Sequence, residues 1–171
     1  MSPSPVQIDL IDEVFLAADP AVVSAAVHEP ALWRALWPDL DLSVFQDRDT
    51  AGLRFTVTGA LVGTSEIWLE PWGDGVVVHV FLRADATRRG QPAQVHQLRP
   101  RVAARWAKRR SLHTKRQLNA LKDVLEAGRE PGEPAAQPAR PAAPAGPAMQ
   151  PAGPAAPQAS SIGSLGRPAR R

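Results

Sequence analysis

Apolar residues recur along this chain in two different periods, alternation through its first half and a period of about 3.6 residues late in the chain. Val6, Ile8, Leu10, Val14 and Leu16 alternate with Gln7, Asp9 and Glu13, which predicts a strand. Asp12 breaks the apolar side of that strand, and Ile11 and Phe15 break the polar side. Asp19-Pro20 is an N-cap followed by a first-turn proline, so a helix over 20–28 is expected with Val22, Val23, Ala26 and Val27 on its apolar face. Pro30 starts a second short helix carrying Leu32, Trp33, Leu36 and Trp37, and Pro38 ends it. Alternation then predicts strands at 40–46, 53–58, 64–70 and 76–83. They are joined by a turn over 47–52, a bend with Gly59 and Gly63 at its ends, and a hairpin at Trp72-Gly73-Asp74-Gly75. Residues 84–97 show no period and read as a connection, in part helical.

The helical period appears in the stretch 98–127, between Pro100 and Gly128. Ala103, Trp106, Ala107, Leu118, Leu121, Val124 and Leu125 form one face, and Arg101, Arg105, Lys108, Arg109, Lys115, Arg116 and Lys122 form the other. Arg110, His113, Thr114 and Gln117 interrupt the apolar face at its middle, where a helix made only to fill a core would carry Leu or Ala. The expected order is β-α-α-β-β-β-β-α, an α+β fold in which a curved antiparallel sheet of about five strands is covered by the long helix.

Composition divides the chain at about residue 130. Residues 1–129 hold nearly all the large apolar side chains and are enough for one core. Residues 130–171 are rich in Pro and Ala, which points to a disordered, solubilising tail with polyproline-II bias. The 171 residues include no cysteine, which removes disulfides and thiolate metal sites. The first residues, MSPSPVQIDLIDE, carry acids where a signal peptide is apolar, and no run has the length of a membrane span, so a cytoplasmic location is expected. The formal charge of +3 is uneven, with acids early and Arg and Lys from Arg83 onward. A basic helix face fits nucleic acid or an anionic membrane, but a solvated face is the more economical reading.

The stretches DEVFLAADPAVVSAAVHEPALWRALWPD and EIWLEPWGDGVVVHVFLR carry a resemblance. The first has a strand ending in Ala-Asp-Pro before a short helix with Val23, then a second helix ending at Trp37-Pro38. The second has a Leu-Glu-Pro step before a glycine hairpin. Over 7–128 the chain resembles the SRPBCC or START-like helix-grip superfamily, which includes lipid-transfer domains and bacterial polyketide cyclase/dehydrase-type proteins. None of these motifs is catalytic. Five strands are fewer than is usual in that superfamily, which implies a smaller or more open cavity.

The resemblance implies a cavity between the sheet and the long helix. Alternation assigns Leu53, Phe55, Val57, Ile67, Leu69, Val78, Val80 and Leu82 to its inner side, and the resemblance implies that Trp33 and Trp37, on the second short helix, stand at its mouth. Trp106, Arg110, His113 and Gln117 would face it from the helix. Arg110, His113 and Gln117 point the same way and fit a carboxylate, phosphate or enolate oxygen. Alternatively, Arg110 pairs with a core-side acid such as Asp12 and His113 reaches the surface. The expected ligand is small, apolar and acidic: a lipid, an acyl chain or a polyketide-like compound. A cyclase with His113 or His79 as general base is the runner-up, and no cofactor or metal is implied. On the other face of the sheet Phe15, Trp68, Val77, His79 and Phe81 form an apolar patch expected to meet a second copy of the chain.

Overall fold

The structure is a computed structural model that describes residues 6–130 and 132–134; most of the expected tail therefore lies outside the described residues. The elements are β1 (Ile8–Leu16), α1 (Pro20–His28), α2 (Pro30–Leu36), β2 (Leu40–Asp47), β3 (Gly52–Gly59), β4 (Leu61–Trp72), β5 (Gly75–Arg88), β6 (Gln91–Val95) and α3 (Pro100–Leu125). Asp19 caps α1 by accepting from the Ala21 N–H at 2.8 Å, and Pro20 begins the helix. A single 3₁₀ turn, Asp49–Ala51, joins β2 to β3.

All strand pairs are antiparallel, in the order β1-β5-β4-β3-β2, with β6 pairing to the far end of β5. The inner face places Leu53, Ile67 and Val80 in neighbouring registers, with Leu69 beside Val78. These residues are buried, as are Phe55, Val57, Leu61 and Leu82. Burying each such side chain contributes roughly 1.5–3 kcal/mol, which makes the inner face the main source of stability.

Two sets of helices divide the concave side. α1 and α2 pack over β3, where the Trp33 ring meets Phe55 edge-on at 5.0 Å. α3 runs along β1 in the same direction. Gln7 Oε1 accepts from the Leu98 N–H at 2.7 Å, Asp12 Oδ1 from Ser111 Oγ at 2.7 Å, and the Phe15 carbonyl from Lys122 Nζ at 2.8 Å. At the far end Glu126 Oε1 accepts from the Ala17 N–H at 2.7 Å. Leu118 and Thr114 are fully buried beneath the helix.

Two expectations are corrected. The stretch 84–97 contains no helix; β5 continues to Arg88, and a two-residue turn with Arg89 and Gly90 both at positive φ leads into β6. β6 is exposed along its whole length and contains Pro92, so no alternation marks it. Among the described residues the sheet has the five expected strands and this short sixth one at its edge. Val124 is 71% exposed, because it lies about a third of a turn round α3 from the buried Leu118. Phe45 is exposed at a bulge in β2 where the register with β3 shifts between Val44 and Gln46.

Candidate functional site

α2 ends at Leu36 because Pro38 cannot continue it, and Trp37-Pro38-Asp39 turns the chain into β2. The middle of α3 passes this turn and is fastened to it twice. Arg110 Nη1 and Nη2 donate to the two carboxylate oxygens of Asp39 at 2.9 and 2.6 Å, a bidentate pair. His113 Nε2 lies 2.7 Å from the Ala35 carbonyl oxygen. A carbonyl only accepts, so Nε2 donates there.

Beside these fastenings lies an open cleft of about 500 Å³. Leu36, Trp37 and Pro38 line it from the α2 side, and Trp106 and Leu112 from α3. Its polar groups are Arg109, Arg110, Arg116 and His113, with Asp39 as the one acid. Asp39 is taken by Arg110, whereas neither Arg109 nor Arg116 forms a salt bridge among the described residues. The cleft therefore combines two indole-bearing walls with uncompensated positive charge. Trp37 is almost wholly buried, and its Nε1 has no partner among the described residues.

Of the residues expected to meet a ligand, Trp37, Trp106, Arg110 and His113 come together here. The others do not line this cleft. Trp33 donates from Nε1 to the Val27 carbonyl at 2.7 Å and fills the concave side against Phe55. Phe55, Ile67, Leu69, Val78 and Val80 are packed into the core, and Gln117 is half-buried further along α3. The open volume is thus at the end of α2, beside α3, rather than over the sheet floor. Trp33 and Leu32 are packed against the core on the concave side.

The acid that pairs with Arg110 is Asp39, not Asp12. Asp12 sits under α3 with Ser111 at 2.7 Å and Lys115 at 3.8 Å. Sequence reasoning missed Leu36, Pro38, Asp39, Arg109, Leu112 and Arg116 as lining residues. Arg109, His113 and Arg116 are spaced i, i+4 and i+7, so their shared side of the helix is legible in the sequence, but not that α2 ends opposite it.

His79 is on the convex face, away from the cleft. Its ring stacks on Trp68 at 4.6 Å and lies 6.2 Å from Phe81, with Glu13 at 3.3 Å and Glu70 at 3.1 Å from its two nitrogens. It is not placed to act as a base on anything held in the cleft. Among the described residues no group of three or more His, Cys, Asp or Glu side chains is arranged to hold a metal ion.

No protein-family model matches the sequence, and no curated protein matches it. Solved structures do match in fold. DR_A0006 from Deinococcus radiodurans superposes with a TM-score of 0.50 at 11% identity, over 70% of this chain and 98% of its own. The Aha1 dimer from Colwellia psychrerythraea gives 0.46 at 13% identity over 72% and 99% of the two chains. A START superfamily protein from Mycobacterium smegmatis gives 0.43 at 14% identity over 68% and 98%. At these identities the likeness is one of fold and says nothing of ligand or reaction. A curved antiparallel sheet, two short helices after its first strand and a long C-terminal helix laid along that strand give this chain the helix-grip fold.

Proposed function

We propose that the cleft between the end of α2 and the middle of α3 binds a small molecule with an apolar body and an anionic head, such as an acyl chain or a polyketide-like acid. The observation that supports this is the meeting of Trp37, Trp106 and Leu112 with Arg109 and Arg116 around one open volume. The apolar body lies against Trp106 and Leu112, with Trp37 behind them, and the anion meets the two arginines that form no salt bridge among the described residues. Arg110 supports the site by fixing the Trp37-Pro38-Asp39 turn, and a ligand carboxylate has to compete with Asp39 to reach it.

Decanoate and decanol separate charge from apolar contact. Tryptophan fluorescence titration should show decanoate binding more tightly than decanol. Arg109→Ala/Arg116→Ala should weaken decanoate by roughly 10- to 100-fold, the worth of one or two charge-assisted hydrogen bonds, and leave decanol unchanged. Equal affinity of the variant and the native chain for decanoate would refute the assignment.

The convex face is, in our reading, a contact for a second copy of the chain. Ile11 and Phe15 are exposed there beside the Trp68-His79-Phe81 stack. Most of its charges are paired within the face, Asp9 with Arg83 and Glu66 with Arg48 and Arg54, so two such faces meet with little repulsion.

A further inference from the structure

The outer face of α3 carries a run of cations that extends well beyond the cleft. At about 3.6 residues per turn, Arg101, Arg105, Lys108, Arg109, Leu112, Lys115 and Arg116 form one stripe along the helix. The stripe is ~22 Å long at 1.5 Å rise per residue. All seven residues are exposed. Lys115 alone reaches an acid, at 3.8 Å; the other five cations form no salt bridge among the described residues. The one acid within α3 is Asp123, beyond the stripe.

A solvated helix face ordinarily mixes both signs of charge, because like charges three or four residues apart repel. This one does not. In the middle of the cations stands Leu112, 54% exposed, with exposed Val102 near the start of the stripe. Leu112 also borders the cleft, as do Arg109 and Arg116, so the cleft opens onto the basic stripe.

We infer that this stripe is a docking surface for an anionic phospholipid bilayer, with the mouth of the cleft turned toward the headgroups. The inference deepens the ligand-binding reading above, and rests on it, by naming where the ligand comes from. Cations near an anionic leaflet gain favourable energy within a Debye length, and a leucine among them reaches the boundary between headgroup and acyl chain. A polyanion such as duplex DNA would satisfy the cations but leave Leu112 and Val102 without an apolar partner. The apolar face of α3 is already buried against β1 and the core, so the contact is shallow and electrostatic, and no part of the helix enters the hydrocarbon.

Co-sedimentation of the full chain with vesicles of phosphatidylcholine, with and without phosphatidylserine, tests the inference. The chain should pellet with the serine-containing vesicles and be released by added salt. Arg101→Ala/Arg105→Ala/Lys108→Ala changes three exposed residues that do not line the cleft. It should lower vesicle affinity on the order of a hundredfold while decanoate binding stays unchanged. Equal partition of the native chain onto the two vesicle types would overturn the inference. So would undiminished vesicle binding by the triple variant, or tighter retention on duplex DNA than on anionic vesicles. Because decanoate binding is read separately, loss of the ligand assignment and loss of the docking assignment are distinguishable.

Discussion

Single residues in this protein act mainly as fasteners between elements. Arg110 looked from the sequence like a ligand's charge partner, yet its side chain is only 12% exposed and its guanidinium is held by both oxygens of Asp39. The spacing of Arg110 and His113 correctly showed that they face the same way. It could not show that Asp39, 71 positions earlier, would lie opposite. Another fastener lies on the α1 side. His28 Nδ1 is 2.7 Å from the Ser24 carbonyl and Nε2 is 3.1 Å from Asp47 Oδ1. Two acceptors suit a doubly protonated ring. Burial alone lowers the His28 pKa, but the hydrogen bonds to Ser24 and Asp47, with the charges of Asp47 and Asp49, outweigh it and raise the value above that of free histidine. A raised folded pKa gives stability that is complete below the unfolded value of about 6.5 and is lost as pH rises through the folded value. Thermal melts should therefore show His28→Gln less stable than the native chain at pH 5.5, with the gap narrowing by pH 8.5. A gap that is constant or widens with pH would rule this out.

At the scale of elements, periodicity identified α1, α2, α3 and the alternating parts of β1, β3, β4 and β5, because each buries one face and exposes the other. It failed for β6, which buries neither face, and for the end of β5, where Ala84 and Ala86 continue the inner row behind weakly apolar side chains. α3 shows a further limit. Its apolar face was legible, but the polar groups that anchor its C-terminal end to β1 were not. Partial burial raises the Glu126 carboxyl, while the Lys122 ammonium at 2.6 Å and the Ala17 N–H, helped by the charges of Lys122 and Arg129, lower it further and leave it below the ordinary glutamate value. A depressed folded pKa contributes stability above the unfolded value, lost as pH falls below about 4. Glu126→Ala should cost about 1–2 kcal/mol in urea unfolding at pH 7 and less at pH 3. It should also speed hydrogen exchange selectively in the last turn of α3. Equal loss of protection along the whole helix would contradict a local anchor.

For the whole molecule, two surfaces lie on opposite sides of the sheet's layer, one facing outward from α3 and one on the convex face. The convex face is near-neutral and apolar, with Ile11 63% exposed next to Phe81. Sedimentation at micromolar concentration should give a dimer mass, and Ile11→Lys/Phe81→Lys should return it to the monomer. A monomer mass for the native chain would remove that contact. The sequence by itself determined the architecture, since alternation, capping residues and prolines act over a few positions and each leaves a local mark. It also determined which residues are apolar enough to make a core. Only the tertiary structure decided where space remains. Phe55, Ile67, Leu69, Val78 and Val80 became packed core, because α1 and α2 close over the sheet between them and solvent. The open cleft moved to the junction of α2 with α3. Arg109 and Arg116, assigned by periodicity to a solvated helix face, became its cations. A helical period reports which side of α3 a residue occupies. Whether that side meets water, a cleft or a partner depends on what distant segments bring next to it, and no local pattern encodes that.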